Sequence, residues 1–215
     1  MKRVIVIGLG IFGFNIAKEL FEHGFEVIAV DKSKDAVQRI RDYATKAVLA
    51  DGTDRDIMDM IGIQEDDLVI VSFGEDLAAS TLITLHLKQL GVKTIITKAV
   101  SEDHKLILER VGATEAIIPE KVMAAKLARS LRYPNVLDYI PLSDDYMISE
   151  IAPPSGFLGK SIGELQLRGR YNIEVIAVRD VLTDRISMVP TAGYVLKDGE
   201  ALVVVGRDRD IEKIK

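Results

Sequence analysis

The run RVIVIG at positions 3–8 leads straight into LGIFG and then into an amphipathic stretch, FNIAKELFEHG. A buried strand, the glycines Gly8, Gly10 and Gly13, and a helix in immediate succession leave the backbone few ways to turn. The spacing GxGxxG alone is weak, because glycines recur at turns. Here its surroundings agree with it. The next apolar run, EVIAV, ends in Asp31, 18 residues beyond Gly13, and the whole unit is about 30 residues long, as a dinucleotide cradle requires. Gly8 supplies the tight turn, and Gly10 lets a pyrophosphate approach the backbone. Gly13 lets the helix pack closely on the strand, so that its amides and positive dipole end meet the phosphates. Ile11 and Phe12 complete the loop. The Asp31 carboxylate, with Lys32 beside it, suits free ribose hydroxyls and repels a 2′-phosphate, which favours NAD(H) or an adenine nucleotide over NADP. A glycine turn followed by a helix-capping aspartate is the plainer alternative.

Up to about residue 132 short β-branched runs alternate with longer amphipathic ones. Strands are expected at 3–8, 26–30, 47–50, 68–72, 94–98 and 116–119. Gly24, Gly62, Gly91 and Gly112 each follow a helical stretch, where a helix C-terminus prefers glycine. The strands are continuous apolar runs, the mark of a parallel sheet covered on both faces. The fold class expected is therefore α/β, a Rossmann-like doubly wound parallel sheet over residues 1–133. From Pro134 the register changes to short strands at 147–151, 173–179, 185–189 and 201–206. They are joined by PPSGFLG and a KDGE turn, with Ser161 and Glu164 at capping-box spacing. Residues 134–215 are expected to form a small α+β domain.

A ligand in an open α/β sheet lies at the carboxyl edge of the strands. The residues expected there are Asp51, Gly52 and Thr53; Ser72, Phe73, Gly74, Glu75 and Asp76; Lys98; and Glu120 with Lys121. Each has a plainer reading: Thr53 with Asp56 is a helix N-cap with an acidic first turn, and Glu75 and Asp76 complement a helix dipole. Lys98, a cation where phosphates would lie, is the most telling.

Bulk properties narrow the function classes. A net charge of −5 opposes nucleic-acid binding. With no cysteine there is no disulfide, thiolate metal site or cysteine nucleophile, which fits a reducing cytoplasm. The first strand begins almost at Met1, and the longest apolar run, 4–14, is too short to span a bilayer. The expectation is a soluble cytoplasmic chain that meets a membrane only through a partner. A dehydrogenase needs an acid or base beside the nicotinamide. Of His23, His86 and His104, only His104 follows a strand end, and a structural role suits it better. The Asp144–Asp145 pair would point to opposite faces of a strand. No catalytic motif occurs, so no enzyme is expected, although an NAD-dependent oxidoreductase and a nucleotide-binding scaffold stay open as alternatives.

VIVIGLGIFGFNIAKEL, EVIAVD, ADGTD, VSFGED, STLITLHLKQLGV, KAVSEDHKLILERVGATEAIIPEK, NVLDYIPLSD, GKSIGEL and LKDGEALVVVGRDRDI together resemble the RCK family (regulators of potassium conductance), of the KtrA and TrkA type. The resemblance covers the whole chain. It implies a cytosolic regulatory subunit, peripheral to the inner face of the membrane. Such subunits assemble as homo-oligomers, often octameric rings of dimers, and gate a potassium-transporter subunit of the KtrB or TrkH type according to bound ATP, ADP, AMP or NAD(H). It also implies a divalent cation held near Glu120, a terminal-phosphate arginine at the position of Ile11, and in some relatives cyclic di-AMP on the C-domain. The chain keeps Glu120 and departs at Ile11, whose aliphatic side chain cannot stabilise a γ-phosphate.

Overall fold

The computed structural model describes residues 2–74, 76–132, 136–143 and 145–214. Two compact units divide the chain, 1–123 and 124–215. The expected boundary at 133/134 lies outside the described residues, as do Glu75 and Asp144.

In the first unit each apolar run forms a strand and each amphipathic stretch a helix. The order is β1 (Arg3–Ile7), α1 (Ile11–Glu22), β2 (Glu26–Asp31), α2 (Lys34–Ile40), β3 (Lys46–Leu49), α3 (Arg55–Ile61), β4 (Leu68–Val71), α4 (Leu77–Gln89), β5 (Thr94–Lys98), α5 (Glu102–Val111) and β6 (Glu115–Ile117). The long helix α6 (Pro119–Arg132) follows. The six strands pair in parallel in the order β3-β2-β1-β4-β5-β6. Strand order reverses between β1 and β4, the switch point at which a doubly wound sheet opens a crevice.

The apolar runs are continuous because both faces of the sheet are covered. Val4, Val6, Val27 and Ala29 pack with Ala17 of α1 and with Ala36 and Ile40 of α2. Their neighbours Ile5, Ile7, Ile28, Val30, Val69 and Val71 pack on the other face with Met58, Ile61, Ile83 and Leu87 of α3 and α4. Alternate residues of one strand thus serve two cores. The four expected helix-terminal glycines all adopt positive φ: Gly24 at 82°, Gly62 at 68°, Gly91 at 81° and Gly112 at 130°.

The second unit follows as β7 (Val136–Pro141), β8 (Tyr146–Ile151), α7 (Ile162–Leu165), α8 (Leu167–Tyr171), β9 (Glu174–Asp180), β10 (Ile186–Met188), β11 (Glu200–Arg207) and α9 (Asp208–Ile211). Its sheet is antiparallel, ordered β10-β9-β11-β8-β7. Met147, Ile151, Val178, Leu202 and Val204 form its core with Leu165, Leu167, Ile173 and Ile211. The capping box opens α7: Ser161 Oγ accepts from the Glu164 amide, and the Glu164 carboxylate accepts from the Ser161 amide at 2.8 Å. The amino-acid sequence does not signal the short helices α8 and α9, because four or five residues carry too little periodicity. Among the described residues no helix is long and apolar enough to cross a membrane.

The tightest packing in the first unit is at Gly13, where a Cβ would stand 1.9 Å from the Gly8 carbonyl oxygen. Gly13→Ala should therefore destabilise the first unit by about 3 kcal/mol, the upper end of overpacking costs, measured by urea denaturation. Unchanged stability would mean that α1 does not rest on the β1 loop.

Candidate functional site

At the switch point the β1–α1 loop turns at Gly8, whose φ is +95° and whose missing Cβ would fall 2.6 Å from the Ser72 carbonyl oxygen. Gly8 and Gly13 are thus glycines for packing. Gly10 is different: its φ is −64°, open to any residue, and a Cβ there would meet nothing within 4 Å. No protein atom demands the glycine: a Cβ there would enter open space, and Gly10 lines both the cleft and the hollow adjoining it. As N-cap of α1 it offers no side-chain cap, and the first turn carries no acidic residue. The first amides of the helix and its dipole end thus have neither a side-chain cap nor a first-turn acid to offset them.

The cleft beside it encloses about 240 Å³. Of the expected residues it brings together Gly8, Gly10, Asp31, Lys32, Asp51, Gly52, Ser72, Phe73 and Gly74. Ile7 and Val30 also line it. Sequence reasoning passes over them as core, yet each sits at the carboxyl end of a strand beside the switch point. Ile11, Phe12, Gly13, Thr53, Lys98 and Glu120 do not line it. Ile11 opens α1 with its side chain 88% exposed. With Leu9, Gly10, Phe14, Asn15 and Arg39 it borders an adjoining hollow of about 310 Å³, where the Arg39 guanidinium lies 5.7 Å from the Phe14 ring centroid.

Asp31 serves the fold as well as the cleft. Its Oδ2 accepts from the Leu9 amide at 2.6 Å and its Oδ1 from the Ser33 amide at 2.7 Å. The carboxylate ties the glycine loop to the end of β2, and each oxygen keeps acceptor capacity for a ligand hydroxyl. Asp51 Oδ1 accepts from the Thr53 amide at 3.0 Å and hydroxyl at 2.7 Å, bonds that hold its carboxyl below the usual range. The N-cap alternative for Thr53 is corrected: the cap of α3 is Asp54, which accepts from the Asp56 amide at 3.0 Å. Gly52 is needed for packing, since a Cβ would stand 2.4 Å from Ile7 Cγ2. Asp76 caps α4, accepting from the Ala79 amide at 2.9 Å.

Lys98 ends β5, and Glu120 lies in the first turn of α6. Lys98 Nζ donates to Glu120 Oε1 at 2.5 Å, and the ammonium holds that carboxyl below its ordinary value. Among the described residues no group of three ligating side chains is placed to hold a metal ion. Glu120 offers a divalent cation one carboxylate, already neutralised, where a hard cation wants about six oxygens.

His104, the only histidine with a plausible catalytic position, is buried. Its Nε2 lies 3.0 Å from Ser80 Oγ, which donates to the Leu77 carbonyl, and its Nδ1 lies 3.4 Å from the Val100 amide. A neutral ring protonated at Nε2 satisfies all three contacts. His23 closes α1 with Nδ1 on the Glu19 carbonyl at 2.7 Å, and His86 lies within α4. In the second unit a separate hollow of about 200 Å³ is lined by α7, α8 and the start of β9, including Arg168 and Glu174, which pair at 3.0 Å. Sequence reasoning names no residue there. The one local anomaly, left-handed Gln166 and Asn172, has no sequence signal as strong as glycine.

Residues 4–119 match the TrkA-N domain family model and residues 146–215 the TrkA-C domain model. The chain belongs to the TrkA-N/TrkA-C family. Two relatives from Bacillus subtilis (strain 168) align with 100% of the chain and 96% of their own length. They are Ktr system potassium uptake protein A, 39% identical, and protein C, 37% identical. Among solved structures, the GsuK RCK domain superposes with a TM-score of 0.66 at 19% identity, over 99% of this chain and 47% of that one. The GsuK channel bound to NAD gives 0.58 at 22%, over 100% and 38%. This chain thus spans half or less of those chains, and at such identity the likeness speaks for the RCK fold.

The open position at Gly10 can be tested directly. Gly10→Val should leave stability within about 1 kcal/mol of wild type while abolishing nucleotide binding in calorimetry; undiminished affinity would move the ligand elsewhere. Burial pushes the His104 imidazole below its ordinary 6.5. The stability it contributes is therefore complete above pH 6.5 and is lost as pH falls through that value toward the folded one. Urea denaturation of wild type and His104→Gln at pH 7.5 and 5.5 should show the smaller loss in the variant; equal losses would contradict the assignment.

Proposed function

We propose that this chain is a nucleotide-sensing regulatory subunit of a potassium uptake system, gating a membrane potassium-translocating subunit of the KtrB or TrkH type. The observation that carries the reading is the open Gly10 position beside Asp31, in a chain that aligns end to end with Ktr system potassium uptake proteins. The ligand is NAD(H) or an adenine nucleotide without a 2′-phosphate. Its pyrophosphate rests on the Gly10 loop and the first amides of α1, and its ribose hydroxyls on Asp31. Lys32, Ser72, Phe73 and Gly74 border the same cleft. Ile11 supplies no charge-assisted bond to a terminal phosphate, so ATP and ADP bind alike.

The site is a sensor and not a catalyst. His104 is spent on Ser80 and Val100, and no other histidine is at the carboxyl edge. Sensing needs two states with different affinity for the ligand. Val122, Met123, Leu127 and Leu131 stand exposed on α6, a stripe suited to a second copy of the chain. The working assembly is a homo-oligomer, an octameric ring of dimers, in the cytoplasm against the inner face of the membrane. The family resemblance adds cyclic di-AMP, at a dimer interface of the C-domain, as a further ligand to test.

In a thermal-shift assay NAD(H) and ADP should raise the melting temperature and NADP should not, because Asp31 opposes the added phosphate. Ligand at a hundredfold its Kd stabilises by about 2.7 kcal/mol, well within range of detection. Equal stabilisation by NAD and NADP would overturn the ribose assignment. The regulatory role is tested by potassium flux in vesicles holding the pore subunit. Flux should depend on nucleotide with the wild-type chain and not with Gly10→Val; flux indifferent to nucleotide would contradict the role.

A further inference from the structure

The resemblance to the RCK family brings with it a divalent cation at Glu120, and the side chains at that position argue for something else. Lys98 is the last residue of β5. The last parallel pair between β4 and β5 is Val71 with Thr97, so Lys98 and Ser72 each follow directly on the paired ends of adjacent strands. Ser72 lines the cleft. The Lys98 side chain is only 14% exposed, whereas that of Glu120 is 66% exposed. A largely desolvated ammonium requires an anion, and Glu120 Oε1 at 2.5 Å is that anion. The neighbouring cation Lys121 is paired with Glu102 and does not compete for Glu120.

We propose that Lys98, at the strand end next to the cleft lining and not itself part of it, is the cation that serves the nucleotide site, occupying the Glu120 carboxylate in place of a divalent metal ion and exchanging Glu120 for a ligand phosphate when nucleotide binds. The inference rests on the nucleotide reading above and specifies its charge balance. Phosphate and Glu120 compete for one ammonium, so Glu120 weakens nucleotide binding in this chain, the opposite of what a metal ligand would do. Exchange also frees Glu120 in the first turn of α6, which couples occupancy of the cleft to the helix leading out of the first unit.

The test is calorimetric titration of ADP into wild type, Glu120→Gln and Lys98→Gln, each in magnesium and in EDTA, with melting curves to establish folding. Wild type should bind ADP with affinities within about twofold in the two buffers. Glu120→Gln should bind roughly tenfold more tightly in both, the worth of one charge-assisted hydrogen bond. Lys98→Gln should bind roughly tenfold more weakly in EDTA, and this variant decides the question alone if Glu120→Gln fails to fold. Weaker binding by Glu120→Gln in magnesium only, or wild-type affinity that collapses in EDTA, would make Glu120 a metal ligand and overturn the proposal. Wild-type affinity in both variants would place the pair outside the site and overturn it too. Failure of the wild type to bind ADP in either buffer would instead contradict the nucleotide reading, and this assignment with it.

Discussion

The first unit is organised around one close approach of backbone to backbone. Where α1 crosses the end of β1, a Cβ at Gly13 would sit 1.9 Å from the carbonyl oxygen of Gly8, and a Cβ at Gly8 would strike the Ser72 carbonyl. Only with both absent can the loop lie flat between β1 and β4, at the point where strand order reverses. The flat loop in turn presents the Leu9 amide to Asp31, which locks the end of β2 against it. The cleft follows from those contacts, because its walls are the ends of β1 and β2 and the loops after β3 and β4. Gly10 needs no such explanation from packing, and that difference separates it from the two glycines kept for the fold and motivates the ligand role proposed for it.

Charge is arranged sparingly around this cleft. The uncapped start of α1 offers amides and a dipole end, Asp31 offers acceptors, and Lys98 is withheld by Glu120. On the proposed reading a nucleotide is selected by geometry, through the open Gly10 and the Asp31 acceptors, more than by a large net positive charge. Asp31 and Asp51 are already bonded within the protein, so on that reading a ligand exchanges partners there instead of capturing bare charges. Such exchange suits the proposed regulatory role, which requires release of the ligand as well as its capture.

The doubly wound sheet is legible in the amino-acid sequence because parallel strands covered on both faces are unbroken apolar runs, and because Gly24, Gly62, Gly91 and Gly112 mark the helix ends. The glycine loop and Asp31 are legible for the same reason: their meaning depends on spacing within one βαβ unit. What escapes is non-local or subtle. Nothing in the sequence pairs Lys98 with Glu120, 22 positions apart on different elements, although both are expected at one edge. Asp54 rather than Thr53 caps α3 because the helix begins at Arg55, which makes Asp54 the residue before its first turn. That Gly52 makes room for Ile7 is equally invisible until β1 and β3 are placed in one sheet. The hollow in the second unit depends on two left-handed non-glycine residues, whose sequence signal is weak.

Everything proposed for this chain depends on a ligand being held at the β1–α1 loop with its ribose hydroxyls free. The most direct measurement is mass spectrometry of the small molecules released when the purified wild-type chain is denatured, quantified against protein and compared with Gly10→Val prepared identically. An adenine nucleotide or NAD(H) without a 2′-phosphate should be recovered from the wild type and be missing from the variant. Recovery of NADP(H), or of the same nucleotide in equal amount from both proteins, would contradict it.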